Sequence, residues 1–184
     1  RSSMSLDDKK IIISVGRLVH RKGQDVLIEA MPEILAKHPE AHLVLVGVGP
    51  YEDYLRELVH SLDLHNSVTF VGRVQYADLP TYISMGDLFA MPSRSRFAGL
   101  EVEGLGIVYL EASACELPIV GGLSGGAPDA LLEGVTGFAS DGLNHLDVAE
   151  KVIHLLDDPD RAREMGRAGR RWIVSDWEWS VWSQ

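Results

Sequence analysis

A chain of 184 residues with 46% hydrophobic and 7% aromatic content can bury the core of one ordinary domain. Its 17 Lys and Arg against 27 Asp and Glu leave a net charge of −10, which excludes indiscriminate nucleic-acid binding across the surface but leaves room for a local basic pocket. The single cysteine, Cys115, excludes an internal disulfide and suits a reducing compartment, and no apolar run approaches the roughly 20 residues that span a bilayer.

Residues 1–8, beginning RSSMS, read as a linker or cloning scar, with no signal peptide visible. Lys9 to Val15 is short, apolar and β-branched, the pattern of a strand buried on both faces. Gly16 to Gly23 follows as a loop with Arg17, His20, Arg21 and Lys22 between two glycines. Gln24 to Lys37 carries Val26, Leu27, Ala30, Met31, Ile34 and Leu35 at helical spacing, with Pro32 as an expected kink. His42 to Val46 predicts the second strand, ended by Gly47-Val48-Gly49-Pro50, and Tyr51 to Leu62 the second helix. Val68 to Val71 predicts the third strand, closed by Gly72-Arg73. Leu79 to Met85 predicts a short helix, and Leu88 to Met91 the fourth strand. Ile107 to Cys115 predicts a helix, Pro118 to Val120 a fifth strand and Gly137 to Ala139 a sixth. Leu146 to Leu156 and Asp160 to Val174 predict two closing helices, with Asp158 or Asp160 as N-cap of the second.

Strands alternate with helices throughout, which predicts an α/β fold: a Rossmann-like, doubly wound parallel sheet over residues 9–174. Ligands of such sheets bind beyond the carboxyl ends of the strands. The unusual loops each follow a predicted strand, so they are expected to converge on one edge. Residues 175–184 stand apart. All four tryptophans, Trp172, Trp177, Trp179 and Trp182, fall within the last thirteen residues, and such a cluster calls for a packing partner.

The chemistry concentrates in two places. Arg17 and Lys22, on a glycine-flanked loop at the start of a helix, are the best phosphate ligands, although the loop also reads as a solvated basic segment. It is not a P-loop, because GxxxxGK[ST] is absent. Glu103 and Glu111 stand eight positions apart across an apolar run broken by Gly104 and Gly106. Three readings apply: acid and base of a hydrolase, a helix cap with a surface Glu, or hydroxyl recognition. The neighbouring glycine amides favour the last. The turn Gly121 to Gly126, followed by a predicted helix from Ala127, is expected to present N–H groups to an anion. The seven histidines show no ligand spacing, so no metal is expected, and Cys115 reads as buried filler. A nucleotide-sugar epimerase or dehydrogenase is disfavoured, because no GxGxxG follows the first strand.

Together SVGRLVHRKGQD, LVLVGVGP, VTFVGRV, EGLGIVYLEASACELPIV and GGLSGGAPD, in this order, resemble the C-terminal domain of GT-B retaining glycosyltransferases from about Lys9 to Trp179. The segment Gly99 to Gly106 looks most like the GDP-mannose-dependent phosphatidylinositol-mannoside mannosyltransferases, with Gly104-Leu105 where many relatives carry Pro-Phe. The resemblance implies that Gly16, Arg17 and Lys22 clamp the donor diphosphate and stabilise the leaving nucleotide without a metal or cofactor. It implies that Glu103, with Gly104, Leu105, Gly106 and Ile107, contacts sugar hydroxyls and phosphate. Glu111 would hold the ribose, and Gly72 and Arg73 would wall the base. Arg17, Lys22 and Glu103 would carry the catalytic roles.

The resemblance also implies an N-terminal GT-B domain as partner, against which residues 175–184 would pack, and a nucleotide-sugar donor with a lipid-linked acceptor. The expected reading is the donor half of a mannosyltransferase, inactive alone, with a UDP-sugar enzyme or a non-catalytic nucleotide-sugar-binding module as alternatives. The expected location is the cytoplasm. Attachment to the inner face of the membrane would come from the absent half, since this half is acidic and shows no basic amphipathic helix in its sequence.

Overall fold

Lys10–Val15 is apolar at nearly every position and forms β1 at the centre of a parallel sheet, where both faces are covered. A computed structural model describes residues 1, 4–95 and 99–177. From β1 the chain runs through helix α1 (Gln24–Lys37), β2 (Ala41–Val46), α2 (Glu52–Ser61), β3 (Val68–Gly72), α3 (Leu79–Ile83) and β4 (Leu88–Met91). Then come α4 (Ile107–Ala114), β5 (Ile119–Gly122), β6 (Gly137–Ser140), α5 (His145–Asp157) and α6 (Pro159–Trp172). The six strands are ordered β3-β2-β1-β4-β5-β6 and every pair is parallel. The direction of winding reverses between β1 and β4, so the crevice that receives ligands in such sheets opens there.

Alternate side chains of each strand enter two separate cores. Ile12, Leu43 and Leu45 pack with Leu27, Met31, Val148 and Val152 under α1 and α5. Ile11, Ile13 and Val44 pack with Phe89, Tyr109 and Ile119 under α3 and α4. Each fully buried aliphatic side chain contributes about 1.5–3 kcal/mol of transfer free energy.

Several expectations change in detail. Helix α1 is continuous through Pro32, which sits on the exposed face. Helix α3 is shorter than expected and is entered through a 3₁₀ turn at Tyr76–Asp78. Asp158 caps α6, its side chain accepting from the Arg161 amide at 3.0 Å. Residues 1 and 4–8 lie against the domain. Leu6 is buried in the second core, and Arg1 donates to Asp87 at 2.8 Å and to the Met85 carbonyl at 2.8 Å.

Two expectations are corrected. The helix from Ala127 is a single 3₁₀ turn, Ala127–Ala130. A basic amphipathic helix is also present. Helix α6 buries Ala162, Met165, Gly166 and Gly169 and turns Arg161, Arg163, Arg167, Arg170 and Arg171 to solvent. At its end Trp172 and Trp177 meet edge to face at 5.7 Å, while Trp179 and Trp182 lie outside the described residues. Among the described residues no helix is long and apolar enough to cross a membrane.

Candidate functional site

The loops after β1, β2 and β3 are stitched together by their main chains. The Gly16 amide donates to the Val46 carbonyl at 3.0 Å and the Gly47 amide to Gly72 at 2.8 Å. Leu18 donates to Val48 at 3.1 Å and Tyr51 to Leu18 at 3.2 Å. A Cβ on Gly47 would sit 2.0 Å from the Gly16 carbonyl oxygen, which explains the glycine directly after β2. The loop after β1 tightens into a 3₁₀ turn, His20–Lys22, and Gly23 at φ 75° passes the chain into α1. The N-terminus of α1 thus follows Lys22 directly.

That turn buries Lys22. Its Nζ lies 2.9 Å from Oε2 of Glu103, a carboxylate only 6% exposed. Arg21 stands beside the pair, with Nε 3.8 Å from Glu103 Oε2 and Nη1 3.6 Å from Glu101. Glu103 Oε2 nevertheless has no aligned hydrogen bond, and neither does Arg21 Nε. The cations and the carboxylate are brought close without being fully satisfied by one another.

Glu103 is fixed from behind. Its amide donates to Ser124 Oγ at 2.9 Å, and its carbonyl accepts from the Gly126 amide at 3.3 Å. This assigns the glycine-dense turn after β5 a different job from the expected one. Its main chain clasps the Glu103 loop, and Gly125, at φ 55°, would place a Cβ 1.9 Å from the Glu103 carbonyl oxygen. The Gly126 amide is spent on Glu103 and the Ala127 amide on Ser124, so those two N–H groups are not held out to an anion.

The helix that does face the cleft is α4. Gly106, at φ 71°, is its N-cap, and no side chain caps its first turn. The Tyr109 amide donates back to the Gly106 carbonyl at 2.8 Å, and the positive end of the helix dipole, at Ile107 and Val108, borders the same cleft as Glu103. Tyr109 anchors this helix to the sheet. Fully buried, it donates from its hydroxyl to the Met91 carbonyl at 2.6 Å and lies 3.0 Å from Ser93 Oγ. Burial pushes its pKa up to about 12, so the phenol stays protonated and keeps that donor.

An open cleft of about 560 Å³ results, lined by Gly16, Lys22, Glu103, Gly104, Leu105, Gly106, Ile107 and Glu111 from the expected set, with Val15, Tyr76, Leu79 and Val108. Glu111, one helical turn inside α4, also borders an adjoining groove with Cys115 and Arg170. Arg17 is exposed outside this lining, and Gly72 and Arg73 stand at the end of β3, also outside it. Tyr76 and Leu79 line the side of the cleft toward β3, a position the sequence reading gave to Gly72 and Arg73. Tyr76 is 80% exposed, a large ring with little of its surface covered. Among the described residues no group of three or more His, Cys, Asp or Glu side chains is placed to hold a metal ion.

The site as built is an open cleft at the switch point of a Rossmann-like sheet. A buried cation and a helix N-terminus face two carboxylates able to accept from hydroxyls. Residues 1–172 match the family described as Glycosyl transferases group 1, and the chain belongs to that family. It is 46% identical over 179 residues to the GDP-mannose-dependent alpha-(1-6)-phosphatidylinositol monomannoside mannosyltransferase of Mycolicibacterium smegmatis, spanning 97% of this chain and 47% of the relative. Sucrose-phosphate synthase from Thermosynechococcus elongatus is similar in structure, with a TM-score of 0.86 and 28% identity, over 98% of this chain and 44% of that one. Anabaena HepE, solved in complex with UDP, gives a TM-score of 0.82 and 26% identity over 93% of this chain and 45% of that one. The chain thus spans about half the length of these relatives.

Proposed function

We propose that this chain is the donor-binding half of a retaining glycosyltransferase that moves mannose from GDP-mannose to a phosphatidylinositol-mannoside-like lipid. One observation carries the reading: buried Lys22 sits 2.9 Å from Glu103 in front of the uncapped N-terminus of α4. A diphosphate entering there meets fixed positive charge from both, while Glu103 is freed to accept from sugar hydroxyls. Glu111, farther along α4, takes the ribose, and Tyr76 and Leu79 join the Gly72-Arg73 turn in walling the base. The similarity to a GDP-mannose-dependent enzyme supports mannose as the sugar.

In the transfer, the bond between the anomeric carbon and the diphosphate oxygen breaks and its electron pair leaves with the nucleotide. The acceptor hydroxyl oxygen bonds to that carbon, and its proton passes to the departing diphosphate oxygen. Lys22, Arg17 and the α4 N-terminus stabilise the charge that grows on the departing diphosphate, a contribution larger in the transition state than in the bound donor. The protein thereby supplies positive charge that a metal would otherwise provide. The acceptor site and the remaining catalytic groups belong to a second domain across the cleft, so this chain alone binds donor and transfers nothing. Membrane approach follows from the lipid nature of the acceptor.

Calorimetric titration with GDP and with UDP, beside Lys22→Ala, tests this. Saturable GDP binding, weaker for UDP and weakened about tenfold or more in the variant, supports the GDP-mannose reading. UDP binding tighter than GDP would favour the rival donor, to which the UDP complex of HepE lends weight. Mannosyl transfer by the purified chain would overturn the claim that it is inactive alone.

A further inference from the structure

Behind the cleft lies a second ion pair. Arg94, in the loop after β4, and Asp25, in the first turn of α1, are both buried, and Arg94 Nη2 donates to Asp25 Oδ2 at 2.5 Å. Neither residue lines the cleft. Arg94 uses its whole fork. Nε donates to His20 Nδ1 at 3.2 Å, Nη1 donates to the Gly142 carbonyl at 3.3 Å, and its own amide donates to the Arg21 carbonyl at 2.8 Å. Asp25 Oδ2 also accepts from the Tyr51 hydroxyl at 3.0 Å. One pair therefore joins the loops that follow β1, β2, β4 and β6. Two of its bonds land on His20 and Arg21, within the 3₁₀ turn that carries Lys22.

Besides its main-chain bonds, from the Lys22 amide to the Val19 carbonyl at 3.0 Å and from the Gly23 amide to the His20 carbonyl at 3.3 Å, the turn and the start of α1 carry incompletely paired polar atoms. Arg21 Nε, Gln24 Oε1 and Asp25 Oδ1 are all buried without a hydrogen-bond partner. Buried polar groups left unpaired in a native fold are uncommon and are retained where the surrounding structure imposes the geometry.

We propose that Asp25 and Arg94 are positioning residues for nucleotide diphosphate. They set the His20–Lys22 turn so that Lys22 Nζ stays in front of Glu103, and they act through that turn without touching the ligand. The proposal rests on the donor-binding reading above.

The experiment separates position from stability. Replacing both members of a buried pair by apolar residues of similar volume is often neutral for stability. The double variant Asp25→Leu/Arg94→Met is therefore compared with wild type in three ways: urea denaturation, GDP titration, and the NMR signal of ¹³C-methylated Lys22, assigned with Lys22→Arg. The expected result is a denaturation midpoint near wild type, GDP binding weakened on the order of tenfold, the size of one lost charge-assisted contact, and a Lys22 signal moved toward that of exposed lysines. Wild-type affinity and an unmoved Lys22 signal in the folded double variant would overturn the proposal. If that variant does not fold, Arg94→Lys decides. It keeps a cation beside Asp25 but lacks the planar fork, and it is expected to fold with the same two changes. Unchanged affinity and signal there overturn the proposal equally. If wild type binds neither GDP nor UDP, the donor reading fails, and the Lys22 signal still judges the positioning claim.

Discussion

The two ends of the sheet carry ionic clusters of opposite character. At the carboxyl end, Lys22, Glu103, Asp25 and Arg94 are all buried, and several atoms around them lack partners. At the amino end, Lys10 pairs with Glu40 at 2.9 Å and His38 with Asp157 at 2.9 Å, and Glu40 and Asp157 are exposed on their side chains. The amino-end pairs tie β1 to the ends of α1 and α5 and leave their carboxylates in water. Exposed pairs contribute little and are screened by salt, whereas buried ones are costly to break and are weak evidence for stability in themselves. Where a fold keeps buried, incompletely paired charges, the need is better sought in what they hold for a ligand.

The sharpest way to break this comparison is Arg94→Met. It strands Asp25 as a buried anion with only Tyr51 as partner, and the expected loss is roughly 3–5 kcal/mol in urea unfolding. A loss no greater than that of Lys10→Met at the opposite end would mean that the two clusters do not differ as argued. Lys22→Ala comes next and acts mainly on binding. The GDP affinity should drop by roughly 1.5–3 kcal/mol, the worth of a hydrogen bond to a charged group. Urea unfolding should move less, since Arg21 remains 3.8 Å from Glu103.

How far the sequence revealed this depends on the range of each signal. The six strands were legible from their alternation with helical segments, and the buried character of β1 because the run Ile11-Ile12-Ile13 declares itself locally. Lys22, Glu103 and Glu111 were singled out by the glycine-flanked basic loop and by the motifs that carry the family resemblance, and all three line the cleft. Asp25 and Arg94 were not. Asp25 reads as an ordinary acidic residue in a first helical turn, Arg94 as a loop cation, and their bond spans 69 positions that only the fold closes. The glycine turn after β5 was misread for a related reason. Glycine density announces either free dihedrals or a close approach but not what approaches. Here the approaching groups are the carbonyls of Ser93, Glu103 and Gly104. Tyr76 was missed as a cleft residue because a lone exposed tyrosine in a loop carries no periodic signal.

The corrected role of that turn gives a third, smaller effect. Gly125→Ala forces a side chain into φ 55° and against the Glu103 carbonyl. The handedness cost alone is about 1–2 kcal/mol. Because the strain is relieved by moving the Glu103 loop, GDP affinity should fall along with the unfolding midpoint. A variant that loses stability but binds GDP as wild type does would show that the clasp does not set Glu103.

The smallest effect belongs to the exposed end, and there pH is the probe. Lys10 beside Glu40 holds the carboxyl down at about 2, against an ordinary value of 4.5. A carboxyl whose pKa is lower in the folded state stabilises the fold while it is ionised in both states. That contribution is therefore complete above pH 4.5 and is lost as pH falls from 4.5 to about 2. Glu40→Gln removes it. The variant should unfold slightly more easily than wild type at neutral pH, and the gap should close with added salt and again toward pH 2. GDP affinity should not change, because Glu40 lies at the amino end of the sheet, away from the cleft. A Glu40→Gln variant that altered nucleotide binding would break the separation between the two ends, since it would require the satisfied cluster to reach the unsatisfied one through β1.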